Sequence, residues 1–198
     1  YYQDLNGQPM TIQSILENYF KNDATTDCTI SEVLQLEIVS IGDKAITSAD
    51  IKYMNSNNML SLKQLDMQRA HVYDSATSTY HRLPDNAFAG VNKYEKVILP
   101  QSLTEIGANA LANTSIENTI TIPSEVAVFG KTWFQNSKYV SFASSVPVAQ
   151  AAEGLTGVNA IFVEEAYINS YKNVYSQYAT RIYPVSVLDD SKQHFVRN

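Results

Sequence analysis

Apolar positions along residues 83–142 recur with an interval that neither a single helix nor a single strand produces. Leu83-Pro84-Asp85-Asn86-Ala87-Phe88 returns as Ile106-Gly107-Ala108-Asn109-Ala110-Leu111, and again as Phe129-Gly130-Lys131-Thr132-Trp133-Phe134, each copy starting 23 residues after the last. Val97-Ile98-Leu99-Pro100 is followed at the same interval by Ile120-Thr121-Ile122-Pro123, while Leu103 matches Val126 and Asn113 matches Asn136. A fixed period of ~20–29 residues holding one strand and one short turn predicts a repeat array, in which no unit buries its own apolar face. The β-branched and aliphatic run Val97–Leu99 favours a strand, and Pro100 and Pro123 have no N–H with which to continue it. Leu103 with Ile106, and Val126 with Phe129, turn the chain inward twice. Gly107 and Gly130 then fit tight bends with positive φ. Phe88, Leu111 and Phe134 predict one shared buried column.

Periodicity outside this block extends the picture. Ile12, Ile15, Leu16, Tyr19 and Phe20 recur at helical spacing behind a candidate N-cap, Thr11, predicting a helix over 11–21 that covers the open edge of the array. Val33–Ile38 alternates as a strand, Ser48–Met54 reads as a short capped helix, and Leu62–Met67 gives the next strand. The stretch 68–82 is longer than the later connections and predicts a solvated loop bulging from one face, the first place to look for a partner surface. Tyr139–Phe142 and Ala160–Val163 read as two more strands, separated by a loop with a short helical turn over 146–157. Ala166, Tyr167, Ser170, Tyr171, Val174, Tyr175 and Tyr178 then lie at helical steps. Their tyrosine stripe reads as a cap on the last repeat with its hydroxyls reaching water; a carbohydrate platform is the alternative. No linker divides the chain, which reads as one domain over 1–198: an N-terminal cap at 1–30, irregular repeats at 31–82, regular repeats at 83–142, terminal repeats and cap at 143–186, and a fraying tail at 187–198.

The phrase from Leu83 to Leu111, LPDNAFAGVNKYEKVILPQSLTEIGANAL, resembles the BspA-type leucine-rich repeat: a strand, a proline, a Ser-Leu-Thr-x-Ile-Gly-x-x-Ala-Phe run and a small polar turn. The match is specific over 83–122 and weakens afterwards, where Val128-Phe129-Gly130 and Trp133-Phe134 depart from it. Irregular units before the block and the segment from Ile161 to Ser186 are also similar to chains of that kind. The resemblance implies an α/β repeat solenoid of about 23-residue units, with short parallel strands on one face and a capping helix at either end. It further implies a secreted or cell-surface protein of Bacteroides-like bacteria, associated with adhesion.

Composition narrows the remaining options. The chain has 198 residues, 44% hydrophobic and 17% charged, enough for one domain with a substantial core. No run nears 18 apolar residues, which excludes a spanning helix. Tyr1-Tyr2-Gln3-Asp4 lacks the basic start and apolar stretch of a signal peptide, so an export signal is expected to have been removed. A net charge of -6, spread without a basic patch, argues against nucleic acid and against anionic lipid. Cys28, the single cysteine, allows no internal disulfide and is expected to be buried as a small hydrophobe.

Chemistry is sparse. His71, His81 and Asp74 lack the spacing of a metal site. Glu164 and Glu165, as strand neighbours, would point to opposite faces, and the three histidines, at 71, 81 and 194, offer no base to a nucleophile. Catalytic, cofactor and metal residues are therefore all read as none. The expected function is a noncatalytic module that recognises a protein or glycan partner, host-derived ones included, through outward strand positions such as Ile98 and Thr121, with Lys96 and Thr119 beside them. The alternatives are an accessory subunit or hydrolase of a surface glycan-processing system, with the 68–82 loop completing a pocket, and a passive spacer that associates with itself.

Overall fold

The repeat interval of the sequence reappears as strand register in a computed structural model that describes residues 11–22 and 29–188. Cys28, His194 and the stretches 1–10 and 189–198 lie outside the described residues, and with them the expectations of a buried thiol and a fraying tail. In chain order the elements are α1 (Ile12–Asn22), β1 (Gln35–Val39), β2 (Ile46–Thr47), α2 (Ser48–Asn55), β3 (Gln64–Arg69), β4 (Val72–Asp74), β5 (Thr79–Tyr80), β6 (Arg82–Leu83), β7 (Lys96–Ile98), β8 (Glu105–Ile106), β9 (Ile120–Ile122), β10 (Val128–Phe129), β11 (Tyr139–Phe142), β12 (Ala160–Val163), α3 (Ile168–Val174) and β13 (Ile182–Pro184).

Two parallel sheets share one side of the molecule, β1-β3-β7 and β9-β11-β12-β13. Their inward residues align as Leu36, Leu65 and Val97 in the first, and as Ile120, Val140, Ile161 and Ile182 in the second. A further parallel sheet, β6-β8-β10, pairs Leu83 with Ile106 and Ile106 with Phe129. Strands thus lie on more than the one face expected. The positions that turn the chain inward after each proline are themselves extended, and the 23-residue register lets them pair. Leu83, Ile106, Phe129, Val97, Ile120 and Val140 are all at most 1% exposed and belong to one continuous core. Removing each such side chain from water is worth about 1.5–3 kcal/mol.

The expected column is present. Phe88, Leu111 and Phe134 are all at most 1% exposed, in the same core. Their turns are tied by backbone bonds that run from one unit to the next. The N–H groups of Asn86, Phe88 and Gly90 donate to the carbonyls of Ala108, Ala110 and Ala112 at 2.9, 2.7 and 2.9 Å. Asn109, Leu111 and Asn113 do the same to Lys131, Trp133 and Gln135 at 3.0, 2.8 and 2.7 Å. Trp133 occupies the place held by Ala87 and Ala110 in earlier units. The next turn accommodates it with Ala151 and Gly154: the indole N–H donates to the Ala151 carbonyl at 2.9 Å, and any Cβ on Gly154 would collide with the ring.

Positive φ does not fall on Gly107 and Gly130. It falls on two other columns, Asn86, Asn109 and Thr132 (57°, 54° and 54°) and Gly90, Asn113 and Asn136 (70°, 56° and 56°). Asparagine tolerates this region better than other side chains, whereas Thr132 is β-branched and strained there. The Thr132 hydroxyl donates to the Asn109 side-chain oxygen, and the Asn136 amide donates to that of Asn113 at 2.9 Å. Gly107 is required for a different reason. A Cβ there would lie 2.7 Å from the Asp85 nitrogen and 2.8 Å from the Leu83 oxygen, and one at Gly130 would strike the Gly107–Ala108 backbone. The units approach too closely for any side chain.

The stretch 68–82 is a hairpin, not a solvated loop. β4 pairs in parallel with β2 and antiparallel with β5, and Val72 and Asp74 are buried. What anchors it is Arg82, whose side chain is 10% exposed and bridges Asp74, Asp85 and Glu105. Its Nε lies 2.6 Å from Glu105, one repeat ahead. Burial opposes the charge, but Glu105 and Asp85 outweigh it and hold the guanidinium pKa above its ordinary value. Asp74 also accepts from the Ala76 N–H at 3.0 Å and the Thr77 hydroxyl at 3.1 Å.

At the N-terminal side, the Thr11 hydroxyl accepts the Ser14 N–H at 3.1 Å, as an N-cap should. Asp50 closes a capping box with Thr47 at the start of α2, and its other oxygen accepts the Ile12 N–H at 2.8 Å, linking the two helices. Behind α2, Lys93 donates to the carbonyls of Met54, Ser56 and Met59 at 2.5, 3.1 and 2.8 Å. Burial and nearby Lys63 push its pKa down to about 8, while the three carbonyl dipoles favour the ammonium. At the other end Tyr171 and Tyr175 are fully buried against Phe142. Their hydroxyls donate to the carbonyls of Ser144 and Val148, both at 3.0 Å, and so do not reach water. Burial raises both phenol pKa values.

Two stability outcomes are expected. Gly107→Ala will cost about 1–3 kcal/mol in urea unfolding, because backbone cannot retreat from the new methyl, whereas Gly90→Asn, which installs the residue of the next two units, will be near neutral. Arg82→Met will cost roughly 3–5 kcal/mol, the usual effect of stranding a buried carboxylate. Adding Asp74→Asn to it will restore part of that loss, and a double variant no more stable than the single one would disprove the ion-network account.

Candidate binding face

Strand side chains alternate, so each residue that enters the core is flanked by residues that stand outward. One outward row runs Glu37, Asp66 and Ile98 across the first sheet, then Thr121, Ser141, Phe162 and Tyr183 across the second. Its chemistry changes along the row. Glu37 forms an exposed ion pair with Arg69, and the Asp66 carboxylate accepts the Gln68 N–H at 2.8 Å. At the far end, Phe162 sits between Tyr139 and Tyr183 with ring centroids 6.5 and 6.2 Å away. Phe162 is buried, yet it holds an outward register position and lies outside the continuous core.

Between the two sheets the ladder stops, and β7 and β9 are not paired as strands. Asn118 stands in for the missing backbone bonds. Its side-chain oxygen accepts the Val97 N–H at 3.1 Å and its amide donates to the Val97 carbonyl at 3.4 Å and to the Thr119 carbonyl at 2.9 Å. Beyond it the strands part around a cleft of about 560 Å³. Gln68, Ile98, Gln101, Thr121 and Ser124 line this cleft together with Leu99 and Pro123. A second, more apolar cleft of about 370 Å³ lies between α1 and β1, lined by Ile12, Leu16, Leu36 and Ile46.

The residues singled out from sequence are distributed unevenly over this face. Thr121 is exposed and Ile98 half-buried, both at the cleft, and Lys96 is half-buried beside them. Thr119 is 2% exposed and does not stand open to a partner. The tyrosine stripe offers no sugar platform, because Tyr171, Tyr175 and Tyr178 are all buried. His71 and His81 meet edge to face at 5.3 Å, and Asp74 is engaged by Arg82. Among the described residues no group of three or more His, Cys, Asp or Glu side chains is arranged to hold a metal. Glu164 and Glu165 lie past the end of β12, both exposed.

Sequence reasoning missed Asn118 and Phe162. Asn118 falls 23 residues after Glu95, where the earlier unit opens its strand with a charged pair; a polar, short amide at the same place was the available signal. Phe162 gave a weaker one, since an all-apolar strand conceals which side chain faces out.

A search of curated proteins and a search of solved structures each find no match. A family model does match: the BspA type leucine rich repeat region, in six copies over residues 13–141. The parallel strands continue past that match through β12 and β13, each one unit further on. With the model covering more than half of its length, the chain belongs to the BspA-type leucine-rich repeat family.

Proposed function

We propose that this chain is a noncatalytic binding or adhesion module, secreted or held at the cell surface, that recognises a protein or glycan partner through the outward face of its strands. Host-derived molecules are among the partners it would meet there. The family is commonly associated with surfaces and adhesion and is generally noncatalytic, which supports both halves of the reading. No described helix is long and apolar enough to cross a membrane. In this reading the units stack as a single solenoid domain over 1–198, with α1 shielding the first unit and the tyrosine-bearing segment around α3 shielding the last.

The observation that carries the proposal is the division of labour within the strands. Inward positions form one continuous core, whereas outward positions pass from ionic (Glu37, Asp66) through polar (Thr121) to aromatic (Tyr183). Side chains held on a rigid ladder lose little freedom on binding, so a broad face of this kind gains affinity from many small contacts.

The test is an array of mammalian glycans and extracellular proteins probed with the purified chain. Single changes such as Glu37→Ala or Lys96→Ala are expected to alter binding less than about threefold, as rim charges usually do. Replacing Glu37, Asp66, Ile98 and Thr121 together is expected to reduce it at least about tenfold without shifting the melting temperature. Full affinity in that multiple variant would rule out the outward face.

A further inference from the structure

We propose that the cleft between β7 and β9 is a binding site for a neutral oligosaccharide. The inference rests on the surface-recognition reading above and assigns one ligand class to one place on that face. Its first support is the interruption itself. Every other neighbouring pair of strands on this side is joined by a parallel ladder, with one register shift between β1 and β3. Among the described strands of this side, only here is a side chain, Asn118, substituted for the ladder. The opening that results, about 560 Å³, is of the size that holds small ligands (roughly 300–1,000 Å³).

The second support is the chemistry of the walls. None of the lining residues is ionisable, in a chain whose net charge is -6, so nothing in the cleft compensates a charged ligand. Gln68, Gln101 and Thr121 are exposed, and their side chains make no hydrogen bond among the described residues. Two carboxamides and a hydroxyl each donate and accept, the complement that sugar hydroxyls need. Ile98 and Pro123, both half-buried, supply apolar surface against which the C–H faces of a pyranose can pack.

An extended peptide fits less well. It would have to join the ladder as an added strand, but Asn118 already holds the N–H and carbonyl of Val97, and Pro123 has no N–H to contribute at the other end. The walls favour a ligand that bonds to side chains over one that bonds to backbone.

Isothermal titration of the purified chain with maltohexaose, cellohexaose, xylohexaose and mannohexaose, and with heparin and polygalacturonate as charged counterparts, tests the proposal. Binding of at least one neutral hexasaccharide and of neither polyanion is expected. Thr121→Arg, which fills the cleft from an exposed position, and the pair Gln68→Ala with Gln101→Ala are each expected to weaken that binding at least about tenfold, the loss of one or two hydrogen bonds to ligand. Melting temperatures of the variants should match the parent. Absence of binding to every neutral hexasaccharide, preference for a polyanion, or binding that survives Thr121→Arg would each overturn the cleft assignment. The broader reading fails separately, when the four-residue outward variant still binds the array targets of the parent. A parent that binds only proteins through that face therefore sinks the saccharide site and leaves the face standing.

Discussion

The structure depends on one constraint: the backbone groups of each turn find their partners in the neighbouring unit. The N–H groups of Asn86, Phe88 and Gly90 have their acceptors 22 residues further along the chain, and the next turn repeats the arrangement. A unit taken alone would leave these groups to water and expose Leu83, Phe88 and Val97 on its flank. Buried backbone polar groups must be paired, and here pairing and apolar burial are satisfied by the same act of stacking. That coupling explains why positions of no obvious chemistry are so restricted. Gly107 has no side chain because the Leu83 and Asp85 backbone lies where one would go. Asn109 and Asn113 take up left-handed conformations because the turn must return its N–H groups in the right direction.

Much of this was legible in the chain, and what was not has physical reasons. Apolar runs at 139–142 and 160–163 gave two strands, while the 23-residue interval gave those around 97–99 and 120–122 and the shared burial of Phe88, Leu111 and Phe134. It misplaced the positive φ values, because glycine signals conformational freedom and close approach with the same letter. At Gly107 the second applies, and the asparagines two and six positions later carry the first. The hairpin at 72–80 was concealed because its Ser and Thr residues resemble a loop, while the ion pair that fastens it joins Asp74 to Arg82, close in sequence but across the turn. Of the outward strand face, Ile98 and Thr121 were readable from alternation. The cleft between them was not, since it opens where the β7–β9 ladder stops, and only the fold shows that the Asn118 side chain takes the ladder's place there.

The irregular and regular parts of the chain are joined by side chains as well as by the β3–β7 ladder. Arg82 gathers one carboxylate from the hairpin, one from its own turn and one from the following unit. Lys93 and Tyr94 hold the end of α2, with the Tyr94 hydroxyl 2.9 Å from the Asn55 side-chain oxygen and 3.2 Å from the Met54 carbonyl. Directed polar contacts of this kind supply specificity where the units no longer resemble one another. Apolar packing alone would tolerate several registers.

The spacing between aligned strand residues is not constant. It runs 29 from Leu36 to Leu65 and 32 to Val97, then 23 to Ile120, where no ladder forms, then 20 to Val140 and 21 to both Ile161 and Ile182. Units of unequal length are not interchangeable parts. Tandem duplication would lengthen such a chain without mismatch only where successive intervals are equal, at 23 around Ile106 and at 21 around Ile161. Copying a 29- or 32-residue unit from the N-terminal side would set a wide turn on a narrow one. Elongation is therefore open from the middle of the array onward and obstructed on its wide side.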